Sequence, residues 1–204
     1  YLLWYGRLPT QEELQQLKQE LDNQATLPEE LLQQIQRYPT TVHPMTALRS
    51  AVSELSMYDE ETEDNSLEAN QRKAIRLTAK IPTIIAAIAR LRKGLEPVAP
   101  RKGLGFVENF LYMLNGGTPS PVAVRALDKV LVLQADHELN ASTFAARVVA
   151  GTLADIYSAV TAAIGALKGP LHGGANEQVM IMLNEIGSVE NVESYVLGKL
   201  ARKE

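Results

Sequence analysis

"SLEANQRKAIRLTAKIPTIIAAIARLRK", residues 66 to 93, decides the fold class. Ile81, Ile84, Ile85, Ile88 and Leu91 recur at spacings of three and four, which lays one apolar stripe along an α-helix. The stretch is far longer than a strand. Pro82 removes a backbone donor from its interior, so a bend is expected there. A helix of this kind needs other helices to cover its stripe, and the flanking sequence supplies them at the same period.

Upstream, "PTQEELQQLKQELDNQ" opens with Thr10 as a cap and acids in the first turn, with Leu14, Leu17 and Leu21 on one face. "LPEELLQQIQRY" repeats the plan with Pro28 as its first helical residue. "HPMTALRSAVSELSMY" follows, with Pro44 in that role and Met45, Leu48, Val52 and Leu55 on one side. Then comes "DEETED", 59 to 64, five acids in six positions, which reads as a solvated loop because like charges repel. Downstream, "FVENFLYMLNGG", "SPVAVRALDKVLVLQ", "NASTFAARVVAG", "ANEQVMIMLNEIG" and "NVESYVLGKLARK" each read as a helix. The helix predicted from 153 to 168 is apolar or small on nearly every side and is expected to be buried among others. No segment alternates at period two, and no repeat of solenoid length occurs. The fold class is all-α.

Bulk properties narrow the function. A net charge of −4 argues against a nucleic-acid binder. The absence of cysteine excludes disulfides and thiolate chemistry and fits a cytoplasmic protein. The most membrane-like stretch, 148 to 167, carries Asp155, and its uncharged part from 156 to 167 is too short to span a bilayer. No membrane association is expected. The opening "YLLWYGRLPT" has neither an initiator methionine nor a signal-peptide pattern and reads as the interior of a longer chain.

Three histidines remain to be weighed. His43, directly before Pro44 at a helix start, reads as a structural turn-and-cap residue. His137, in "LQADHELNAST", reads equally as a polar loop residue or a functional one. His172 reads as functional. It lies in "GPLHGGANE", 169 to 177, flanked by glycines at the start of a predicted helix. Free backbone N–H groups and the positive end of the helix dipole are expected beside its ring, which disfavours imidazolium. A neutral ring N–H can hold a carbonyl oxygen as it becomes an enolate, the role of the neutral histidine in triosephosphate isomerase. The glycines are expected to let a substrate approach. No histidine pair has ligand spacing, so no metal site is expected. Nor is there a serine-hydrolase elbow or a phosphate-binding loop.

"GPLHGGANE", with "ADHELNAST" 35 residues earlier and "ENFLYMLNGGTPSP" and "HPMTALRSAVSEL" before that, closely resembles the citrate synthase family, and the resemblance runs from "LLWYGRLPT" to the end. The 2-methylcitrate synthases share both central motifs. The resemblance implies a two-domain, nearly all-helical homodimer that condenses acetyl-CoA with oxaloacetate and water, giving citrate and CoA. Acetyl-CoA is a substrate there, and no cofactor or metal is implied. His172 corresponds to the catalytic histidine that bonds the thioester carbonyl, and His137 to the one that binds oxaloacetate. Residues 1–172 correspond to the larger domain without its leading segment, and 173–204 to the start of the smaller one. The family's "GHR" histidine, aspartate base and carboxylate-gripping arginines are expected beyond residue 204. The chain alone is therefore expected to be an inactive internal piece. A non-catalytic helical dimerisation module that keeps the motifs is the reading from another class.

Overall fold

In the computed structural model, residues 1–202 are described, and among them are eleven α-helices, two short 3₁₀ turns and no strand. In chain order the helices are α1 Leu2–Tyr5, α2 Gln11–Gln24, α3 Glu29–Gln36, α4 Pro44–Leu55, α5 Leu67–Leu91 and α6 Phe106–Asn115. They continue with α7 Pro121–Gln134, α8 Ala141–Ala150, α9 Ile156–Leu167, α10 Gly174–Ile186 and α11 Val192–Arg202. Lys203, the last residue of the predicted final helix, lies outside the described residues.

Local chemistry sets the boundaries. Thr10 Oγ1 accepts from Glu13 N at 3.2 Å, while a Glu13 oxygen accepts from Thr10 N at 2.8 Å, so both ends of a capping box close at α2. Pro28 sits one position outside α3, as its cap rather than its first residue. His43 caps α4 through Nδ1, which accepts from Met45 N at 3.2 Å, the structural role its position predicts.

The stripe of α5 is the floor of the core. Ile84 and Ile88 pack with Leu31 and Ile35 of α3, Val52 and Leu55 of α4, and Tyr157 and Ile164 of α9. Ile81, Ile85 and Leu91 flank that cluster, half-buried. Pro82 lies inside α5 without ending it.

Two expectations need correction. The acidic run is not simply solvated. Asp59 is only 8% exposed, paired with Arg76 Nε at 2.7 Å and accepting from the Tyr157 hydroxyl. Glu61 takes Arg76 at 2.7 Å and Arg72 at 2.9 Å. Lys73 is fully buried, its ammonium donating to the carbonyls of Thr62 and Asp64. Arg72 and Arg76, one turn apart on α5, pair with Asp59 and Glu61, while Glu60, Glu63 and Asp64 stay exposed, so the run is pinned on one side and solvated on the other. The second correction concerns α9. Only Tyr157, Ala159 and Ile164 are buried, because α4, α8 and a little of α5 cover it and its remaining sides are half-open.

The acid network carries a pH signature. Burial alone raises the Asp59 carboxyl, but hydrogen bonds from Tyr157, Arg76 and the Glu61 backbone N–H outweigh it and hold it below its ordinary 3.8. Glu61, bonded by Arg72 and Arg76, falls from 4.5 to about 2. Groups held down in the fold stabilise it above their unfolded values, and that stability is lost as the folded sites take up protons. The thermal midpoint should therefore stay level above about pH 5 and fall toward about pH 2. Asp59→Asn should lower the neutral-pH midpoint and flatten that acid limb, and a melting series across pH reads both.

Candidate active site

The two histidine motifs are far apart in sequence, and the α8–α9 pair brings them together. The helices are joined by residues 151–155 and pack on each other more extensively than any other pair. Such a hairpin places the start of α8 beside the segment that follows α9. Ser142 is in the first turn of α8 and His172 follows α9, and His172 Nε2 lies 2.9 Å from Ser142 Oγ. The same hydroxyl is 2.6 Å from Asn140 Oδ1, which also accepts from Thr143 N at 3.0 Å as the cap of α8. Asn140 Nδ2 reaches the His137 carbonyl at 3.4 Å. A chain of polar contacts therefore runs from the His172 ring to the backbone of His137.

A serine has one proton to donate, so this chain couples to the tautomer of His172. Here it goes to Asn140 Oδ1, an acceptor only, at 2.6 Å, and that leaves Nε2–H pointing at Ser142. Turned to His172, it would make Nε2 the acceptor and place the ring proton on Nδ1. Nδ1 makes no hydrogen bond among the described residues, so it is the nitrogen that can meet a ligand. The ring is half-buried.

His137 stands exposed on the loop between α7 and α8. The loop is shaped by its neighbours: Asp136 Oδ1 accepts from Glu138 N at 3.0 Å, and Glu138 has φ of 52°, a left-handed conformation that non-glycine residues rarely adopt. Strain of this kind persists where surrounding bonds over-determine it, and here the Asp136 and Asn140 side chains do so. On the far side of the motif, His43 Nε2 faces Glu177 in the first turn of α10 at 3.6 Å, too long for a hydrogen bond.

The helix start beside His172 differs from expectation. The first amides are not free: Gly174 N and His172 N both donate to the Gly169 carbonyl, and Ala175 N donates to the His172 carbonyl. The turn spends its own donors, and Ser142 faces Nε2 instead. The glycines have a packing reason too. A Cβ on Gly173 would lie 2.4 Å from the Leu167 carbonyl oxygen, and one on Gly174 3.0 Å from that of Gly169. The sequence does not disclose Ser142 as the partner of His172, nor Asn140 behind it. Their signal was the Asn-x-Ser-Thr run at a helix start, which reads first as capping alone.

A cavity of about 490 Å³ lies elsewhere, between α2, α5, α6 and α7, lined by residues such as Leu21, Phe106, Met113 and Leu131. None of its lining residues lies in 136–143 or 169–177. The polar contacts, not the volume, mark the candidate site. Among the described residues no group of three or more His, Cys, Asp or Glu is placed to hold a metal ion. No helix there is long and apolar enough to cross a membrane.

An all-α chain that brings these two histidine motifs into contact can be compared with known proteins as a unit. The family model described as citrate synthase, C-terminal domain, matches residues 1–204, and the chain belongs to the citrate synthase family. It is 60% identical over 205 residues to citrate synthase 2 of Bacillus subtilis, covering all of this chain and 55% of that protein. It is 47% identical over 204 residues to a 2-methylcitrate synthase of Mycobacterium tuberculosis, covering all of this chain and 51% of that protein. The crystal structure of citrate synthase from Thermotoga maritima superposes with a TM-score of 0.82 at 41% identity, over all of this chain and 53% of that one. A Thermoplasma acidophilum citrate synthase solved with carboxymethyl coenzyme A and oxaloacetate gives 0.89 at 29% identity, over 99% of this chain and 53% of that one. The chain thus spans about half the length of the relatives it matches.

The Gly173 geometry is directly testable. Gly173→Ala forces either the Leu167 carbonyl or the turn to move, at a cost of about 2 kcal/mol by the rule for overpacking. A melting curve should shift down by roughly 4–8 °C, since a chain of this size loses about 2–4 °C per kcal/mol. An unchanged midpoint would mean the turn has slack that the 2.4 Å approach denies.

Proposed function

We propose that this chain forms part of a citrate synthase, condensing acetyl-CoA with oxaloacetate and hydrolysing the product to citrate and CoA. The observation that carries the reading is the contact between His172 and Ser142, which joins the two motifs the family uses for its two substrates. His172 acts as the donor. For that role the Ser142 proton turns from Asn140 Oδ1, which keeps its bond from Thr143 N, to Nε2, and the Nδ1–H so formed holds the thioester carbonyl oxygen while the methyl group loses a proton and the oxygen gains enolate charge. His137, exposed on its strained loop, contacts oxaloacetate. The enolate carbon then attacks the oxaloacetate ketone, and water releases CoA from the thioester formed. The proton base, the second histidine and the carboxylate-gripping arginines lie outside residues 1–204. Support for the substrate pair comes from the Thermoplasma relative, solved with oxaloacetate and a coenzyme A derivative.

Residues 1–172 belong to the larger domain of this enzyme and 173–204 open the smaller one, with the boundary in the tight turn after His172. The enzyme is a cytoplasmic homodimer. Exposed apolar side chains of α7 in the larger domain, such as Val122, Val132 and Leu133, support association. Sedimentation of the full-length protein across a dilution series is expected to give a dimer at micromolar concentration, and a well-folded monomer throughout would contradict this.

The relative named as a 2-methylcitrate synthase supports a second reading, with propionyl-CoA as the acyl donor. Comparing kcat/KM for the two acyl-CoA substrates separates them. Within the first reading, His172→Ala in the full-length protein should lower kcat by about 10²–10³, the usual effect of removing one oxyanion donor. His137→Ala should instead raise the oxaloacetate KM and leave the melting midpoint within a few degrees. Normal condensation by the His172 variant would overturn this role for His172, whereas a full-length protein without condensation activity would leave the non-catalytic module as the better reading.

A further inference from the structure

We propose that Asp59, Arg76, Asn65 and Tyr157 form a positioning anchor that holds the far end of the α8–α9 hairpin, and through it sets the placement of His172 and Ser142. The inference rests on the reading that those two residues serve the reaction.

The hairpin has two ends. At the open end, Ser142 and His172 meet. At the closed end, the acidic segment touches the hairpin twice. The Tyr157 hydroxyl, in the first turn of α9, donates to Asp59, and Tyr157 is 3% exposed. Asn65 Nδ2 donates to the Leu153 carbonyl at 2.8 Å, within the connecting turn. Leu153 has φ of 64°, which a leucine adopts only when its surroundings impose it. Asn65 fastens the strained turn where it is strained.

The segment that does this is itself fixed to α5. Arg76 grips Asp59 with two nitrogens, at 2.7 and 2.9 Å, and Lys73 holds the Thr62 and Asp64 carbonyls. Two of the five acids, Asp59 and Glu61, are thus paired with arginines of α5, and these pairs fix the loop as a contact surface for the hairpin. Among the described residues α8 has no other extensive partner than α9, so Ser142 inherits its placement from α9. At about 1.5 Å per residue, the anchor acts on the site over roughly 15–20 Å of packed helix.

Stabilisation alone would produce the same contacts, so the test separates the two. Tyr38 provides the control: its hydroxyl also donates to a carboxylate, Glu54, at 3.1 Å, but that carboxylate is on α4, and the bond ties no residue of the hairpin. In the full-length enzyme, Tyr157→Phe should lower kcat by about threefold, and Tyr157→Phe with Asn65→Ala by about tenfold, with KM values within about twofold. Tyr38→Phe should keep kcat within about 1.5-fold even where its melting midpoint falls as far. Hydrogen exchange gives a readout independent of turnover: the Gly174 and Ala175 amides, bonded inside the His172 turn, should exchange faster in the double variant than in Tyr38→Phe. Equal kcat losses in the two Tyr→Phe variants, or unchanged exchange at those amides, overturns the anchor. If the enzyme does not perform the condensation, the exchange measurement still decides the anchoring, so the two readings fail separately.

Discussion

The contact between His172 Nε2 and Ser142 Oγ, at 2.9 Å, depends on nearly everything else in the molecule, and the functional reading depends on it in turn. It exists because α8 and α9 fold back on one another, and the hairpin is placed because α9 lies across α4 and α5. The α5 stripe supplies the floor on which α3, α4 and α9 converge. Hydrophobic burial places the helices. The last ångström belongs to directional groups: a serine hydroxyl, an asparagine cap and a turn that uses its own amides.

The helices were legible because each carries a period, a cap or a breaker within a dozen residues. Thr10, Ser120, Asn140 and Asp155 accept backbone bonds at the helix starts they occupy, and Gly116 ends α6 in the left-handed conformation. Boundaries moved by a few residues where two signals competed, as at the predicted 153–168 helix, which starts only after the Asp155 cap. Contacts between distant segments were not legible. Nothing within "DEETED" says that Arg76 and Tyr157, 17 and 98 positions from Asp59, will meet its carboxylate. The charge run reads as solvent-facing because repulsion within the run is local, whereas the arginines that pair with Asp59 and Glu61 come from α5 and the hydroxyl that bonds Asp59 from α9.

The site was half legible for the same reason. Glycines around His172 and polar residues around His137 marked both motifs, but the partner of the His172 ring is 30 residues away. A helix start after His172 predicts open amides beside the ring. The turn closes them on Gly169 and His172, and the ring looks to Ser142 instead. The glycines look different as well: Gly173 is required by the approach of the Leu167 carbonyl before any substrate is considered. A constraint of packing and a demand of chemistry fall on the same residues. That coincidence lets the turn hold an imidazole in one direction.

The central claim is that Ser142 sets the state of the His172 ring, its proton turning from Asn140 Oδ1 to Nε2, and the ring proton coming to Nδ1, as a ligand meets Nδ1. The most direct measurement is nitrogen-15 NMR of the labelled histidine side chains at neutral pH, in the full-length protein with oxaloacetate and carboxymethyl coenzyme A, with and without Ser142→Ala. The account predicts one protonated nitrogen, Nδ1, and an unprotonated Nε2 whose resonance moves when the Ser142 hydroxyl is removed. Two protonated nitrogens on His172, or an Nε2 resonance indifferent to Ser142, would contradict it.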